Sequence, residues 1–432
     1  MSTQILRGGT VIDGHSPPRQ ADVVMQAGRI LAVVSPGQAH AAGGAVSDVS
    51  GLLVMPGLVD IQVHFREPGG TEAEDIATGA VGAARGGMTA VVMMPNTTPP
   101  LDTVDIVGDV LAIAARAPID VHTAATLSVD RDGGRLVDFA ALHALGVRIF
   151  TDDGDALADS DLMRRALQAS TSLPGMVVSQ HAEDAALVAS GAINEGPVAR
   201  QLGVGGRPRE AEEVVVARDL ALARLTGGRY HVLHISTSSA LDHVRRARAQ
   251  GVQVTCEVTP QHLVLTEGDV PRLRGDGKMN PPLRTAADVQ SLRQGLVDGV
   301  IDAIATDHAP HPPARKALPL AEAPPGMLGT ETAMAVVWTH LVAPGVLSPS
   351  QAVRLLSVQP AAIAGLHHHG GPVAADRPAN ICLFDPQARW VVDPAALASR
   401  SRNSPFAGAT LTGRPVRTIV HGQTVHDLTG QG

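Results

Sequence analysis

Short, almost continuous apolar runs alternate with longer segments through the middle of the chain. Each run is followed by a stretch rich in Ala, Leu and Arg, which is typical of a helix. Strands that are apolar on both faces and alternate with helices predict parallel strands buried between layers. Eight such runs occur: Leu58–His64, Ala90–Met94, Asp120–Thr126, Val147–Asp152, Met176–His181, Tyr230–Ser236, Gln253–Val258 and Asp302–Asp307.

Eight strand–helix units predict an α/β fold of the (β/α)8, or TIM, barrel class, which we expect to span residues 56–366. A doubly wound Rossmann-like sheet is the alternative. The G-x-G-x-x-G pattern of that fold does not follow the first apolar run, which favours the barrel.

The two ends of the chain have a different pattern, of short strands separated by turns and without a long helical period. We expect residues 1–55 and 367–432 to form together one small β-sandwich domain. His367 to His369, in a Gly-rich stretch, are expected to lie in a solvated loop. The expected strands are Gln4–Ile12, Ala21–Gln26, Ile30–Val34, Asn380–Phe384, Trp390–Val392 and Val416–His421.

Composition narrows the functional classes. Hydrophobic residues make up 44% of the 432 residues but aromatic residues only 2%, so the core must be aliphatic. The net charge is −8, with acidic and basic residues interspersed, which does not fit a nucleic-acid-binding surface. Two distant cysteines, Cys256 and Cys382, suit a reducing compartment. Without a signal-like start or an apolar run of membrane length, we expect a cytoplasmic protein.

Histidines and acids stand where the predicted strands end. In a β/α barrel these ends converge on one mouth, where active sites are built. Any one of these residues alone is more often an ordinary hydrogen-bonded side chain, and Asp152-Asp153-Gly154 could be a simple turn. Together they favour a metal site, because imidazole and carboxylate are ligands for zinc and similar ions. The residues are His64, Asp152, Asp153, His181, His234 and Asp307.

The segment Asp60–Gly69, D-I-Q-V-H-F-R-E-P-G, resembles the D-x-H-x-H-L-R-E-P-G signature of the type I bacterial dihydroorotases, a cyclic amidase branch of the amidohydrolase superfamily. The resemblance extends over nearly the whole chain. The blocks K-M-N-P-P-L-R at 278–284 and A-T-D-H-A-P-H at 305–311 are the most specific; M-P-N-T at 94–97, F-T-D-D-G at 150–154, H-A-E-D at 181–184, H-I-S-T at 234–237, E-V-T-P at 257–260 and N-S-P-F at 403–406 also match.

This resemblance implies a hydrolase acting on cyclic amides, which interconverts N-carbamoyl-aspartate and dihydroorotate in pyrimidine synthesis with one or two zinc or similar divalent ions per chain. It implies that His64 and Asp307 hold one metal ion and His181 and His234 a second. An acid of the Asp-Asp-Gly turn would bridge the ions; Asp153 is favoured and Asp152 remains the alternative. Substrate would be bound by Arg66, Asn96, Asn280 and His311.

The chemistry agrees with these implied roles. A metal ion lowers the pKa of bound water toward ~7 and polarises a carbonyl, so that hydroxide can attack the ring amide. Asp307 could take the proton from that water and return it to the ring nitrogen. Arg66 offers a planar fork of donors suited to a carboxylate. The resemblance also allows a homodimer and a complex with aspartate carbamoyltransferase, besides the small-molecule substrate; neither nucleic acid nor membrane is an expected partner.

Lysine usage separates the chain from other cyclic amidases. The chain has only two lysines, Lys278 and Lys316, against 32 arginines. Hydantoinase-like and allantoinase-like relatives bridge two metals with a carboxylated lysine on the fourth strand. That bridge is unavailable here, because the first lysine is Lys278. An aspartate bridge is the remaining option.

Gln62 stands where the family signature has the first histidine of H-x-H, and Gln261 replaces the first histidine of the usual T-P-H-H. A neutral amide oxygen is a weak zinc ligand compared with imidazole, so Gln62 is a doubtful metal ligand. Three hypotheses follow: a dihydroorotase of reduced activity, a catalytically impaired subunit that scaffolds aspartate carbamoyltransferase, or another cyclic amidase of the hydantoinase or allantoinase kind. Retention of the other site residues favours the active dihydroorotase.

Overall fold

The computed structural model describes residues 3–40 and 44–430. Its strands are β1 Gln4–Val11, β2 Arg19–Gln26, β3 Arg29–Val34, β4 Ala45–Asp48, β5 Leu53–Pro56, β6 Leu58–Val63, β7 Met88–Met93, β8 Asp120–Thr123, β9 Ile149–Phe150, β10 Val177–Gln180, β11 Ile193–Asn194, β12 Gly206–Arg207, β13 Tyr230–Val232, β14 Val254–Val258, β15 Ala303–Ile304, β16 Ile381–Val391, β17 Thr410–Val420 and β18 Gln423–Asp427.

The helices fill the connections between these strands. They are α1 Ile76–Arg85, α2 Val104–Ala114, α3 Phe139–Ala144, α4 Ser160–Ser170, α5 Ala185–Val188, α6 Pro197–Leu202, α7 Glu210–Thr226, α8 Ser238–Ala249, α9 Pro260–Val264, α10 Val270–Leu273, α11 Ala286–Val297, α12 Pro313–Lys316, α13 Ala333–Val337, α14 Pro349–Val353 and α15 Gln359–Ile363. None of the helices in the described ranges has both the length and the apolar character needed to span a lipid bilayer.

Both ends of the chain contribute to one sheet, in the order β18-β17-β16-β5-β1-β2-β3, with β4 paired to β1. The antiparallel pairing of β5 with β16 joins the two ends. The expectation of two strands, Asn380–Phe384 and Trp390–Val392, is wrong, because one long strand, β16, covers Ile381–Val391. Its register with β17 is irregular between Asp385 and Arg389, where polar residues interrupt the apolar pattern.

The buried middle strands form two parallel sheets, β6-β7-β8 and β9-β10-β13-β14-β15. Isolated parallel bridges link them at both edges, at Ala125 with Phe150 and at Val63 with His308. The backbone N–H of His64 also donates to the carbonyl of His308 over 2.8 Å. The fold is therefore mixed α/β, with a separate β-sheet built from both termini.

Asp60 ties the first of these parallel strands to the segment after the last. Its side chain accepts hydrogen bonds from the backbone N–H of Gln62 over 3.1 Å and from the Thr306 hydroxyl over 2.6 Å. A mostly aliphatic core packs around the strands, with few aromatic contacts such as Phe139 against Phe150 at 5.1 Å. Each large aliphatic side chain buried there contributes about 1.5–3 kcal/mol. The strand ends that carry the polar residues are thus anchored to a closely packed aliphatic core.

His369 does not lie in a solvated loop as expected from the Gly-rich sequence around it. Its ring is buried, and Nε2 lies 2.8 Å from Asp120 at the beginning of β8. Nδ1 lies 3.1 Å from the hydroxyl of Thr89. The carboxylate of Asp120 also contacts His421 of the terminal sheet at 2.9 Å. His369 therefore joins the parallel strands to the terminal sheet.

Candidate metal centre

Five parallel strands end within three residues of a histidine or an aspartate. Because the carboxyl ends of neighbouring parallel strands lie at the same edge, these side chains converge as the sequence predicts. All five are buried, although buried ionisable groups are costly unless they are paired or bind a metal. The residues are His64 after β6, Asp153 after β9, His181 after β10, His234 after β13 and Asp307 after β15.

Asp153, His181 and His234 form a compact group in which one ligand atom from each residue lies within 4.8 Å of the others. Nδ1 of His181 is 3.0 Å from Nε2 of His234, and Oδ1 of Asp153 is 3.6 Å from each of these nitrogens. Burial alone raises the pKa of Asp153, but its contacts with both histidines hold that pKa well below the usual range. Two imidazoles and one carboxylate are a donor set that suits zinc.

His181 is oriented by a carboxylate on its far side. Its Nε2 lies 3.1 Å from Glu183, and Glu183 is held by Arg207 at 2.7 Å. Burial alone lowers the pKa of His181, but the hydrogen bonds to Asp153 and Glu183 raise it to about 10. The surroundings of Nδ1 therefore favour a positive charge. A divalent cation fits this place, with the Nε2–H of His181 donating to Glu183 as in many metal-binding histidines.

His64 and Asp307 form a second group that shares Asp153. Nε2 of His64 lies 3.0 Å from Oδ1 of Asp307 and 3.2 Å from Oδ2 of Asp153. Nδ1 of His64 lies 2.9 Å from the amide oxygen of Asn96, which can only accept a hydrogen bond. Nδ1 is therefore the donor to Asn96, and Nε2 is the ring nitrogen that faces the two carboxylates. Two buried carboxylates close to one imidazole nitrogen are stabilised by a proton or a cation between them.

The two acids of the Asp-Asp-Gly turn point in different directions. Asp152 accepts hydrogen bonds from the backbone of Leu127 over 2.8 Å and from the backbone and hydroxyl of Ser128 over 3.1 and 2.5 Å. Asp153 faces the histidines instead. Of the two alternatives that the sequence leaves open, the geometry favours Asp153 as the residue between the two groups.

Gln62 is fully buried, and within the described residues neither atom of its amide has a hydrogen-bond partner. Gln62 lies two residues before His64, at an irregularity in the pairing of β6 with β7 between Asp60 and Val63. An unpaired buried amide costs about 1–3 kcal/mol, which fits a position that faces a ligand. Gln261, the second departure from the family signature, donates instead to the carbonyl of Thr306 over 3.1 Å.

Arg66 and His311 lie together beside the two groups. Nε of Arg66 donates to the carbonyl of Pro310 over 3.3 Å, and its Nη2 is 3.4 Å from Nε2 of His311. Burial lowers the pKa of Arg66 to about 10, opposed by the negative charges of Asp307 and Asp153. The guanidinium therefore stays charged at neutral pH, close to the carboxylates of the site.

Asn280 is the predicted substrate-binding residue with the weakest link to this cluster. Its amide oxygen is buried and lacks a hydrogen-bond partner among the described residues. Asn96, which is also predicted to bind substrate, accepts a hydrogen bond from His64. The substrate-binding roles of both amides remain predictions.

The backbone at two of these residues is unusual. His234 has a φ of 32° and Asp307 a φ of 48°, in the left-handed region that few residues other than glycine adopt. Strained backbone of this kind is concentrated at functional sites.

Two buried acids near the site, Glu183 and Glu257, are not among the metal-binding or substrate-binding residues that the sequence predicts. Glu183 stands in a matched block, but its contact with Arg207 joins distant parts of the chain. Glu257 is buried in β14, where burial raises its pKa to about 8, and its Oε2 contacts His231 at 3.2 Å. The sequence feature that could have identified Glu257 is its position as an acid inside an otherwise apolar strand. His231 lies between Glu257 and Thr255.

Comparison with known proteins agrees with the predicted family. A family model described as Dihydro-orotase-like matches residues 51–240. A dihydroorotase of Pelotomaculum thermopropionicum is 43% identical over 98% of both chains. Dihydroorotases of Streptomyces coelicolor and Mycobacterium tuberculosis are each 42% identical, over 98% and 94% of both chains respectively.

Solved structures of a hydantoinase and a dihydropyrimidinase share the fold. The L-hydantoinase (dihydropyrimidinase) from Arthrobacter aurescens superposes with a TM-score of 0.89 at 25% identity, over 99% of this chain and 96% of that one. A dihydropyrimidinase from Brevibacillus agri gives 0.85 at 24% identity, over 98% and 95%. The higher identity is to the dihydroorotases. The family predicted from the motifs is therefore confirmed, and the chain belongs to the dihydroorotase family.

Proposed function

We propose that the chain is an active dihydroorotase, which interconverts N-carbamoyl-L-aspartate and L-dihydroorotate in pyrimidine biosynthesis. The observation that carries this proposal is the convergence of His64, Asp153, His181, His234 and Asp307 at one edge of the parallel strands, beside the charged Arg66. A cyclic amide is a weak electrophile, and this arrangement supplies ligands for a cation, a carboxylate that can carry a proton and a cationic anchor for substrate.

The scaffold of this site is, in our proposal, a closed (β/α)8 barrel over residues 56–366. The two parallel sheets follow each other in chain order, and the bridges at Ala125–Phe150 and Val63–His308 lie at the two places where closure requires contacts. Residues 1–55 and 367–432 would form the accessory β-sandwich domain, in agreement with the strands that the two ends share.

Asp153, His181 and His234 would hold one divalent ion, for which zinc is our proposal, and His64 with Asp307 would hold a second ion shared through Asp153. When bound, a divalent cation supplies a lowered pKa for water and a polarised amide carbonyl. Gln62 adds at most a weak ligand to the second position. We therefore propose that the group with two histidines is the tighter site.

The side chains of the chain perform the remaining steps. Asp307 accepts the proton of the attacking water and delivers it to the ring nitrogen that leaves. Arg66 binds the substrate carboxylate through its fork of donors, and His311, Asn96 and Asn280 would hold the ring. Fixing the substrate in this way lowers the entropic part of the barrier.

One coupled experiment tests the proposal: zinc content and dihydroorotate turnover measured on the same preparation of the isolated chain. We expect at least one ion per chain and measurable turnover that is lost on chelation. Bound zinc with turnover of hydantoin but not dihydroorotate would contradict the substrate assignment.

Gln62 favours a second candidate, a catalytically impaired subunit that assembles with aspartate carbamoyltransferase. That candidate predicts little metal and little turnover in the isolated chain, with co-migration of the two proteins in size-exclusion chromatography. The same column would also reveal a homodimer, which we propose as the alternative assembly.

Gln62→His is expected to raise metal affinity by about 10–100-fold and to increase turnover, because imidazole replaces a weak amide ligand. Titration of the metal-free protein with zinc, followed by calorimetry, measures the change. Gln261→His is the matched control and should leave affinity unchanged, since Gln261 contacts the Thr306 carbonyl. Equal affinity in Gln62→His and the unmodified chain would show that residue 62 does not face the ion.

A further inference from the structure

The only two lysines of the chain, Lys278 and Lys316, lie together in the structure. Both are buried, each with about 6% of its surface exposed. A buried ammonium group is costly unless its protons are donated to acceptors. Both ammonium groups donate to backbone carbonyls of the segment 311–326.

Lys316 uses all three of its protons. Nζ donates to the carbonyls of Lys278, Pro324 and Gly326 over 3.3, 3.0 and 2.8 Å. The backbone N–H of Gly326 in turn donates to the carbonyl of Lys278 over 2.8 Å. Lys316 therefore joins the end of the 311–326 segment to the segment that carries Asn280.

Lys278 holds the middle of the same segment. Its Nζ donates to the carbonyls of Leu320 and Ala321 over 2.9 and 3.0 Å. Hydrogen bonds from charged donors contribute about 1.5–3 kcal/mol each, more than those between neutral groups. The two ammonium groups thus hold residues 320–326 at four carbonyls, and the Asn403 amide donates to one of these, that of Gly326, over 3.0 Å.

This segment controls the ring of His311. Nε2 of His311 lies 2.8 Å from the carbonyl of Pro325, which is flanked by the two residues that Lys316 binds. Burial, together with the charges of Arg66 and Lys316, lowers the pKa of His311 to about 3. The Pro325 carbonyl can only accept, so the neutral ring donates its Nε2 proton to this nearer partner, and the longer contact of 3.4 Å with Nη2 of Arg66 is not a hydrogen bond. Nδ1 is then the unprotonated nitrogen.

We propose that Lys316, supported by Lys278, is a positioning residue for substrate binding: it fixes the Pro325 carbonyl, which sets the orientation and tautomer of His311. This inference rests on the proposed function, in which His311 binds substrate. Lys316 itself does not touch the reacting atoms.

The charge of Lys316 is sensitive to alkaline pH. Burial lowers its pKa to about 8, with Asp276 raising the pKa and Lys278 lowering it further. Arg274 and Arg402 line the same cavity as Lys316, and the charge of Lys316 also acts on His311. A neutral amine has two protons for three carbonyls, so one hydrogen bond is lost as pH rises through about 8. Substrate binding should weaken in the same range.

Lys316→Met tests the inference, with Arg315→Met as the matched control. Arg315 is the exposed neighbour on α12 and loses the same charge without a buried contact. Lys316→Met removes all three hydrogen bonds of the ammonium group, and we expect it to raise KM for dihydroorotate by at least about tenfold at pH 7, with a smaller change in kcat and unchanged zinc content. The alkaline rise of KM near pH 8, expected in the unmodified chain, should disappear in this variant. Lys278→Met should show a smaller effect on KM.

Nitrogen-15 NMR of the histidines provides a readout that does not depend on turnover. The unmodified chain should show His311 as a single Nε2-protonated tautomer, and Lys316→Met should show a mixture. Lys316→Met with the KM, pH profile and His311 spectrum of Arg315→Met would overturn the inference. If the unmodified chain binds zinc but neither binds nor converts dihydroorotate, the proposed function fails, while the NMR comparison still decides the role of Lys316.

Discussion

Asp307→Asn is expected to lower kcat for dihydroorotate hydrolysis by a factor of about 10²–10⁴, the usual contribution of a general acid–base group. The amide has the same shape as the carboxylate, but it cannot accept the proton of water or return it to the leaving nitrogen. The group formed by Asp153, His181 and His234 stays intact, so the metal that it holds should remain. Steady-state kinetics and metal analysis on the same sample measure both effects.

Asp302→Asn is a suitable control for that variant. Asp302 precedes β15 and Asp307 follows it, so the same chemical change is made at opposite ends of one strand. Asp302 pairs with Arg248 at 2.6 Å, away from the site. Near-normal kcat in Asp307→Asn, or an equal loss in Asp302→Asn, would remove Asp307 from the proton-transfer role.

Asp153→Asn should remove most of the bound metal, and turnover with it. Asp153 is the residue through which both groups of histidines are connected, at 3.2 Å from His64 and 3.6 Å from His181 and His234. Removing a residue that only hydrogen-bonds to a metal ligand already weakens metal binding about 10–100-fold. Removing the ligand itself should therefore weaken metal binding by a larger factor. Zinc titration of the metal-free variants gives the affinities directly.

The neighbouring Asp152→Asn is the matched control, since it changes the same residue type one position earlier. Asp152 binds the backbone of Leu127 and Ser128, so this variant should lose about 1–3 kcal/mol of unfolding free energy and keep its metal. Chemical denaturation separates this loss from an effect on binding. If Asp152→Asn lost zinc and Asp153→Asn kept it, the bridging role would pass to Asp152.

The sequence was sufficient to predict which strands carry the site. Apolar runs of strand length are visible in it, and the last residue of each run must lie at the strand end, so His64 and His181 could be placed without coordinates. Two residues depart from the family signature, and only Gln62 stands where that signature has a predicted metal ligand.

The relation between Asp152 and Asp153 could not be predicted in this way. Strand β9 has only two paired residues, Ile149–Phe150, although the apolar run is longer, and the chain leaves the sheet before the two acids. Strand alternation therefore no longer determines which side chain faces inward. Contacts between distant segments, such as Glu183 with Arg207, have no local pattern at all.

The strand break that was expected near Asp385 has a related explanation. A register irregularity allows polar residues inside one continuous strand, and period-two alternation cannot distinguish this from a turn. The same limit applies to His369, whose buried partner Asp120 is far away in sequence.

The left-handed backbone at His234 and Asp307 restricts which amino acids can be exchanged there. Asn, Asp and His are the side-chain-bearing residues that most readily adopt positive φ, and two of these three also offer strong metal ligands. Alanine scanning at these two positions would mix conformational strain with lost chemistry, whereas asparagine isolates the chemistry. For the evolution of the enzyme, the positive φ at either position disfavours most side chains as neutral intermediates, so drift in ligand identity is easier at position 62, whose φ is not positive.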